Sequence, residues 1–546
     1  MTVSTAGIPL LQIDSLCVSV GPTPILRNLT LEVGAGEILG LVGASGSGKS
    51  MLAMAILQLL PENARISGEV RLLGEELTTK SPAELQGIRG RDIGMVFQEP
   101  MSALNPLMSI GDQVAETVRL HRSVSAAEAR SLARETLDLV GLRGEQGALE
   151  RLPHELSGGQ RQRVAIAMAV VLGPSLLIAD EPTTALDVLT QAEVLRLLQE
   201  LAHARGMGLI LVSHDLAVVA QVTDRIALMH EGDIVEQGIT RQVLGRLRHP
   251  YGQALLAAAN LRPKYGTTAP EFSTPVLQVS EVVCEYPRRR RMLWRPAAPL
   301  RAVDGVSLVV HSGETVGLVG ESGSGKSSLL RIILALERPQ AGAVRLLGDA
   351  FSSATGTNLR RLRRSIQAVF QDPYGSFDPQ WSVEQLIAEP FFLMDSPPTA
   401  AERRRKVDRV LEQVGLSSAD AARRPHEFSG GQRQRIAIAR ALITEPSVIA
   451  FDEAVSALDV LIRAQILELL GELADRLKLA YLFVSHDLPV IRAIADRVYV
   501  MQQGRIVEHG PTTSVFGAPR HAYTQGLIAA TPTLIQGPGT SSKSEE

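Results

Sequence analysis

The chain repeats itself once, in order, over almost its whole length. GASGSGKS at Gly43–Ser50 returns as GESGSGKS at Gly320–Ser327, an offset of 277. VFQEP, with Gln98, returns as VFQDP, with Gln371, an offset of 273. LSGGQRQR, IADEP and LVSHDL return as FSGGQRQR, IAFDEA and FVSHDL. Ser157 and Ser429, Asp180 and Asp452, and His214 and His486 are each 272 apart. Chance supplies one such pattern, not five matched pairs in one order. A period this long is a duplicated domain; solenoid repeats run to ~20–50 residues. The chain therefore reads as two tandem domains, and 546 residues is ample for two full cores.

The first domain spans 1–261, closing on the helical stretch YGQALLAAANL. Residues 262–275, RPKYGTTAPEFSTP, have the Pro, Gly and Thr content of a linker. The second domain spans 276–530, and the polar tail 531–546 is expected to be disordered. Leu11 and Leu277 open similar strands at an offset of 266, so the second copy carries 11 extra residues before its Gly-rich loop. They fall in the basic segment PRRRRMLWRPAAPLR, 287–301, which reads as a solvated hairpin or, alternatively, as a surface for lipid head groups or a partner.

Composition narrows the partners. Formal net charge is −3, from 55 basic and 58 acidic residues, so no basic excess points to nucleic acid. The two cysteines, Cys17 and Cys284, form no CxxC pair or ligand cluster; neither a disulfide framework nor a zinc or iron–sulfur site is expected, and a reducing, cytosolic setting fits. The N-terminus lacks a secretory pattern. The longest uncharged run, Val164–Ala179, has 16 residues and contains Gly173-Pro174. That falls short of the ~20 residues a membrane span needs and reads as a buried helix, a turn and a buried strand. Any membrane part must come from other chains.

Each copy alternates in the manner of an α/β domain. EILGLVG and ETVGLVG, LLIAD and SVIAFD, and LILVSHD and AYLFVSHD are apolar runs that end in polar residues. Such runs suit strands buried on both faces of a mainly parallel sheet. Polar groups at their C-terminal ends stand where α/β folds put ligands. SAAEARSLARETLDLVGL and TAAERRRKVDRVLEQVGL are amphipathic helices lying between the Gln98 or Gln371 strand and the LSGGQ-like segment.

The loops GASGSGKS and GESGSGKS fit G-x-x-x-x-G-K-[ST]. Backbone N–H groups of such a turn, with the helix that follows, cradle phosphates, and glycine lets the backbone approach without a Cβ. The candidate cradles are Gly43, Ser45, Gly46, Gly48, Lys49, Ser50 and Met51, and Gly320, Ser322, Gly323, Gly325, Lys326, Ser327 and Ser328. Lys49 and Lys326 would reach the β- and γ-phosphates, and Ser50 and Ser327 would place hydroxyls on Mg²⁺. Asp180 and Asp452 end apolar strands, the position from which a carboxylate holds Mg²⁺ in P-loop enzymes. Glu181 and Glu453 follow directly and suit a general base that polarises the attacking water.

LSGGQ and FSGGQ, in this company, resemble the signature of the ATP-binding-cassette family, and the resemblance covers nearly the whole chain outside the linker, the insertion and the tail. It implies two tandem P-loop NTPase domains of α/β class. Each would be a RecA-like, mainly parallel sheet with an antiparallel β subdomain and a helical subdomain. It also implies that two cassettes meet head to tail and sandwich ATP. One site would combine Lys49, Ser50, Gln98, Asp180, Glu181 and His214 with Ser429, Gly430, Gly431 and Gln432. The other would combine Lys326, Ser327, Gln371, Asp452, Glu453 and His486 with Ser157, Gly158, Gly159 and Gln160. By resemblance Gln98 and Gln371 sense Mg²⁺ and water, His214 and His486 contact the γ-phosphate, and Asp187 and Asp459 cross the interface. A lone His before Asp is commonly structural; its spacing after the acids favours the catalytic role. With both Glu and both His positions filled, two hydrolytically competent sites are expected.

Two positions depart from the family pattern. Tyr286 fits the aromatic that stacks on adenine, but the first copy has Val20 there; EPTTALD becomes EAVSALD, so Ala454 replaces Pro182 and a φ restraint is lost. The extended motifs FQEPMSALNP and FQDPYGSFDP, PHELSGGQRQR and PHEFSGGQRQR, and the terminal elements HPYGQALLAA and HAYTQGLIAA resemble fused two-cassette ATPases of the peptide and nickel uptake systems. That implies an ATPase for peptide import at the cytoplasmic face of the membrane. Its partners would be two transmembrane permeases and an extracytoplasmic substrate-binding protein, with no nucleic acid. Nickel or glutathione cargo is the alternative. A soluble twin-cassette factor or an exporter fits less well, because the linker is short and the terminal elements belong to uptake systems. No cysteine follows Cys284, so the iron–sulfur cluster of some relatives is not expected.

Overall fold

In the computed structural model the described residues are 9–98, 103–142, 148–184, 186–261, 274–287, 299–372, 375–456 and 458–534. The basic insertion at 288–298, linker residues 262–273 and tail residues 535–546 lie outside them.

Among the described residues, each half contains a four-stranded antiparallel sheet and a six-stranded sheet. In the first half the antiparallel sheet runs Thr23–Val33, Leu11–Val20, Ala64–Leu72, Glu75–Glu76. The larger sheet runs Asp233–Ile239, Arg225–His230, Ile38–Val42, Gly208–Ser213, Leu176–Asp180, Ile93–Val96. Its neighbours are parallel except for the Asp233–Ile239 edge strand, which is antiparallel. The second half repeats this order, with Thr315–Val319, Ala480–Ser485, Val448–Asp452 and Ile366–Val369 as the four adjacent parallel strands.

The continuous apolar runs are buried as expected: every residue of Ile38–Val42 and Gly208–Ser213 is buried, because helices cover one face of the sheet and the antiparallel sheet, with helix Lys49–Ile56, covers the other. The covering is close. A Cβ on Gly40 would lie 2.1 Å from Val219 Cγ1, and one on Gly317 2.5 Å from Ile491 Cγ2. Val164–Ala179 resolves into the end of the helix Gly158–Val170, a turn at Gly173 with φ 71°, and the strand Leu176–Asp180. The amphipathic stretches become helices Ala126–Leu139 and Ala400–Gln413. Ser125 and Thr399 cap them by accepting from the third helical N–H, satisfying a donor the helix itself cannot.

Two expected boundaries shift slightly. The first strand of the second half already begins at Pro275, placed in the linker by composition. Residues 531–534 of the supposedly disordered tail are packed: Thr531 donates to Leu527 O, and Leu534 packs against an apolar cluster of the first half. Leucine in that otherwise polar stretch supplies the apolar area.

The halves touch through their terminal helices. Pro250–Ala259 lies against Val460–Leu477 of the second half, and Ala522–Ala530 against Val188–Arg205 of the first.

Candidate nucleotide sites

The strand order explains why distant motifs meet. Ile38–Val42 runs into the first Gly-rich loop, Gly208–Ser213 into His214, Leu176–Asp180 into Glu181, and Ile93–Val96 towards Gln98. These four strands are neighbours and parallel, so all four motifs emerge at one edge. The second half does the same for Lys326, His486, Glu453 and Gln371.

The loop geometry meets the needs of a phosphate cradle. Gly46 and Gly48 sit at φ 82° and 102°, and Gly323 and Gly325 at 81° and 107°, backbone that side chains rarely adopt. Gly43 leaves no room for a Cβ, which would lie 2.3 Å from Met229 O. The helices open at Lys49 and Lys326, with Ser50, Met51, Ser327 and Ser328 in their first turns; Ser45 and Ser322 lie exposed on the loops. Both lysines are buried and curl back on their own loops. Lys49 Nζ donates to Gly43 O at 2.8 Å and Ala44 O at 2.9 Å; Lys326 Nζ donates to Gly320 O at 2.8 Å and Glu321 O at 2.7 Å. Burial pushes both ammonium groups down, against the pull of nearby carboxylates.

Asp180 is buried, and burial raises its carboxyl, while a hydrogen bond with Ser50 lowers it. Its buried Oδ1 has no hydrogen-bond partner among the described residues. A hard oxygen set of Ser hydroxyl, Asp carboxylate and Gln amide oxygen suits Mg²⁺. Asp452 stands in the same place, raised by burial and by Glu453.

Glu181 and Glu453 both adopt left-handed backbone, φ 47° and 48°, which costs a non-glycine residue and clusters at functional sites. The Ala454 exchange leaves this conformation intact. Glu181 Oε1 lies 3.2 Å from His214 Nδ1, and Glu453 Oε1 3.0 Å from His486 Nδ1. Burial would raise the Glu181 carboxyl, but His214, Thr184 and Lys49 bring it down to about 2. Glu453 is also held low, by His486 and Lys326 against burial. The surroundings are not equal. Glu181 Oε2 accepts from Gln98 Nε2 at 2.8 Å and Thr184 Oγ1 at 3.0 Å, whereas Ser456, in the place of Thr184, donates to the Glu453 backbone oxygen.

Ser157 and Ser429 are N-caps of the helices Gly158–Val170 and Gly430–Leu442. Gln160 and Gln432 complete capping boxes, their side chains accepting from the serine N–H groups. Gly159 and Gly431 are required by packing: a Cβ would lie 2.2 Å from Thr190 Cγ2 and 2.5 Å from Ile462 Cγ2. Asp187 and Asp459 cap the next long helices, and each acts across the halves. Against the larger lowering by burial, Asp459 pulls Lys49 upward and Asp187 pulls Lys326 upward. Tyr286 and Val20 end equivalent strands; the Tyr286 hydroxyl donates to Glu337 Oε2 at 2.6 Å and bonds with Ser328 of the second loop.

Sequence reading missed two residues. Tyr251 Oη accepts from Ala44 N–H at 2.6 Å, and Tyr523 Oη from Glu321 N–H at 2.8 Å. Their recurrence in HPYGQ and HAYTQ was the available signal.

Two P-loops, each beside a strand-end Asp-Glu pair and a histidine, define a tandem P-loop ATPase. Comparison with known proteins agrees. Residues 26–184 and 303–456 match the ABC transporter family, and residues 507–544 the C-terminal region of oligopeptide/dipeptide transporters. The peptidoglycan transport ATP-binding protein YejF of Agrobacterium fabrum is 44% identical over 96% of this chain and 96% of its own. The glutathione import ATP-binding protein GsiA of Salmonella paratyphi A is 44% identical over 93% of this chain and 86% of its own. The chain belongs to the ABC transporter family, as an ATP-hydrolysing protein with two cassettes in one polypeptide.

Proposed function

We propose that this ATPase drives import of peptides or peptide-like substrates across the cytoplasmic membrane. The reading places it on the cytoplasmic face, with two permeases and an extracytoplasmic substrate-binding protein as partners. The observation that carries it is the match of 507–544 to the oligopeptide/dipeptide transporter C-terminal region, supported by relatives named for peptidoglycan transport and glutathione import. No described helix is long and apolar enough to cross a membrane, so other chains would carry the cargo. A cavity of about 420 Å³ of mixed lining, apolar at Leu336, Phe370 and Phe392 and charged at Arg363, Glu389 and Arg440, offers a permease a docking surface on the second cassette.

In this reading each ATP lies between the P-loop of one cassette and the serine-capped helix of the other. The N-termini of helices Lys49–Ile56 and Gly430–Leu442 direct N–H groups and positive dipole ends at the phosphates. Lys49 exchanges its loop carbonyls for phosphate oxygens. Ser50, Gln98 and Asp180 would hold Mg²⁺, which would supply charge neutralisation. Glu181 is ionised at working pH and orients the attacking water once His214 and Gln98 release its carboxylate to it. The second site repeats these roles with Lys326, Ser327, Gln371, Asp452, Glu453 and His486, opposite Ser157. Deleting the chain from its host should abolish uptake of a labelled oligopeptide, and tagged protein should co-purify with permeases. A defect in efflux, or co-fractionation with ribosomes instead, would reject the reading.

A further inference from the structure

The terminal helices are more than family markers. Tyr251 stands on Pro250–Ala259, 8% exposed, with its ring stacked on His230 at a centroid distance of 4.1 Å. Its hydroxyl takes the N–H of Ala44, while Lys49 Nζ takes the C=O of Gly43. Those two groups belong to one peptide unit, which is planar, so gripping the N–H fixes the direction of the C=O. The second cassette repeats the arrangement with Tyr523 on the N–H of Glu321 and Lys326 on the C=O of Gly320. Each tyrosine is placed by the same frame: His249 or His521 caps the helix on the tyrosine N–H, and Glu236 or Glu508 accepts from the two N–H groups before it.

Each helix also meets the other cassette. Leu461 and Leu534 of the second half pack on the cluster that contains Tyr251 and Leu255. Leu189 and Leu261 of the first half pack on the cluster that contains Tyr523 and Leu527. Leu461 and Leu189 follow closely on Asp459 and Asp187, the residues whose charge reaches the opposite P-loop lysine.

We propose that Tyr251 and Tyr523 are positioning residues that tie each P-loop to the opposite cassette, so that the setting of the peptide that the lysine grips depends on how the halves are docked. This rests on the P-loops being the ATP sites. The tyrosine acts through the peptide and the lysine, not on nucleotide itself.

The test uses the full chain with Lys326→Ala, leaving the Lys49 site, and titrates a fluorescent ATP analogue with Mg²⁺. Tyr251→Phe keeps the ring on His230 and removes only the acceptor. It should raise the dissociation constant about fivefold, the worth of one net hydrogen bond, and in turnover raise KM with kcat within about twofold, the mark of lost uniform binding. Leu461→Ala should weaken the same site in the Tyr251 protein and add little in combination with Tyr251→Phe, a non-additivity expected of coupled residues. Tyr523→Phe with Lys49→Ala provides the second copy should the first variant misfold. Unchanged affinity in a folded Tyr→Phe variant, or a fall in Tm alone, would overturn the proposal. Binding that survives Lys49→Ala with Lys326→Ala would instead reject the P-loop reading beneath it.

Discussion

His214 Nδ1 stands 3.2 Å from Glu181 Oε1, and the second cassette repeats the pair at 3.0 Å between His486 and Glu453. Each carboxylate is positioned where its cassette's P-loop lysine also feels its charge. The pairs match; their supports do not, because Gln98 and Thr184 hold Glu181 while Ser456 bonds backbone.

Replacing Glu181 by Gln should leave partial turnover, carried by the Glu453 site. A general base contributes ~10²–10⁴-fold, so Glu181→Gln combined with Glu453→Gln should fall by at least about a hundredfold. Steady-state phosphate release measures both. Untouched turnover in Glu181→Gln would show the first site idle.

The His–Glu pairs make stability depend on pH in opposite directions. Glu181, ordinarily near 4.5, is held at about 2; its contribution is complete above 4.5 and disappears as pH falls towards 2. His486 is raised above 6.5, by Glu453 against burial, so its contribution is complete below 6.5 and is lost as pH rises through the higher value. Thermal unfolding should therefore show a wider Tm gap between wild type and Glu453→Gln at pH 6 than at pH 8.5. A gap that is constant over that range contradicts the pairing.

The sites should also differ in grip on the base. Stacking on an aromatic is worth ~1–3 kcal/mol, and the second copy has Tyr286 where the first has Val20. Val20→Tyr should tighten ATP binding at the Lys49 site, measured in Lys326→Ala, by about fivefold or more. Equal affinities of the two wild-type sites, each measured with the other lysine removed, would refute this asymmetry.

Gly159→Ala should destabilise by about 1–3 kcal/mol through overpacking against Thr190. Thr190→Ser removes the clashing methyl yet keeps the hydroxyl that donates to Asp187, so the double variant should recover most of the loss in chemical denaturation. No recovery would locate the cost elsewhere.

Much of this was legible in sequence because the chemistry sits in short, contiguous motifs at strand ends. Asp180-Glu181 and Gly43–Ser50 need only a strand before and a helix after. The left-handed backbone of Glu181 and Glu453 has no local signal, since glutamate carries no preference for it. Tyr251 escaped notice because its partner, Ala44, is 207 residues away and offers a backbone N–H that every residue has. The short packed segment at 531–534 was hidden by the Gly, Ser and charged residues that fill the rest of the tail.

The central claim is that each site is built from both cassettes, and one comparison tests it most directly. With Glu453→Gln only the Lys49 site should turn over. Adding Ser429→Asn keeps an N-cap of equal strength but fills the phosphate position with a larger side chain; adding Ser157→Asn does the same to the other site. Phosphate release should be lost with Ser429→Asn and be at least about tenfold higher with Ser157→Asn, the separation expected when one of the two touches the transition state. Equal loss in both, or greater loss with Ser157→Asn, would contradict the account.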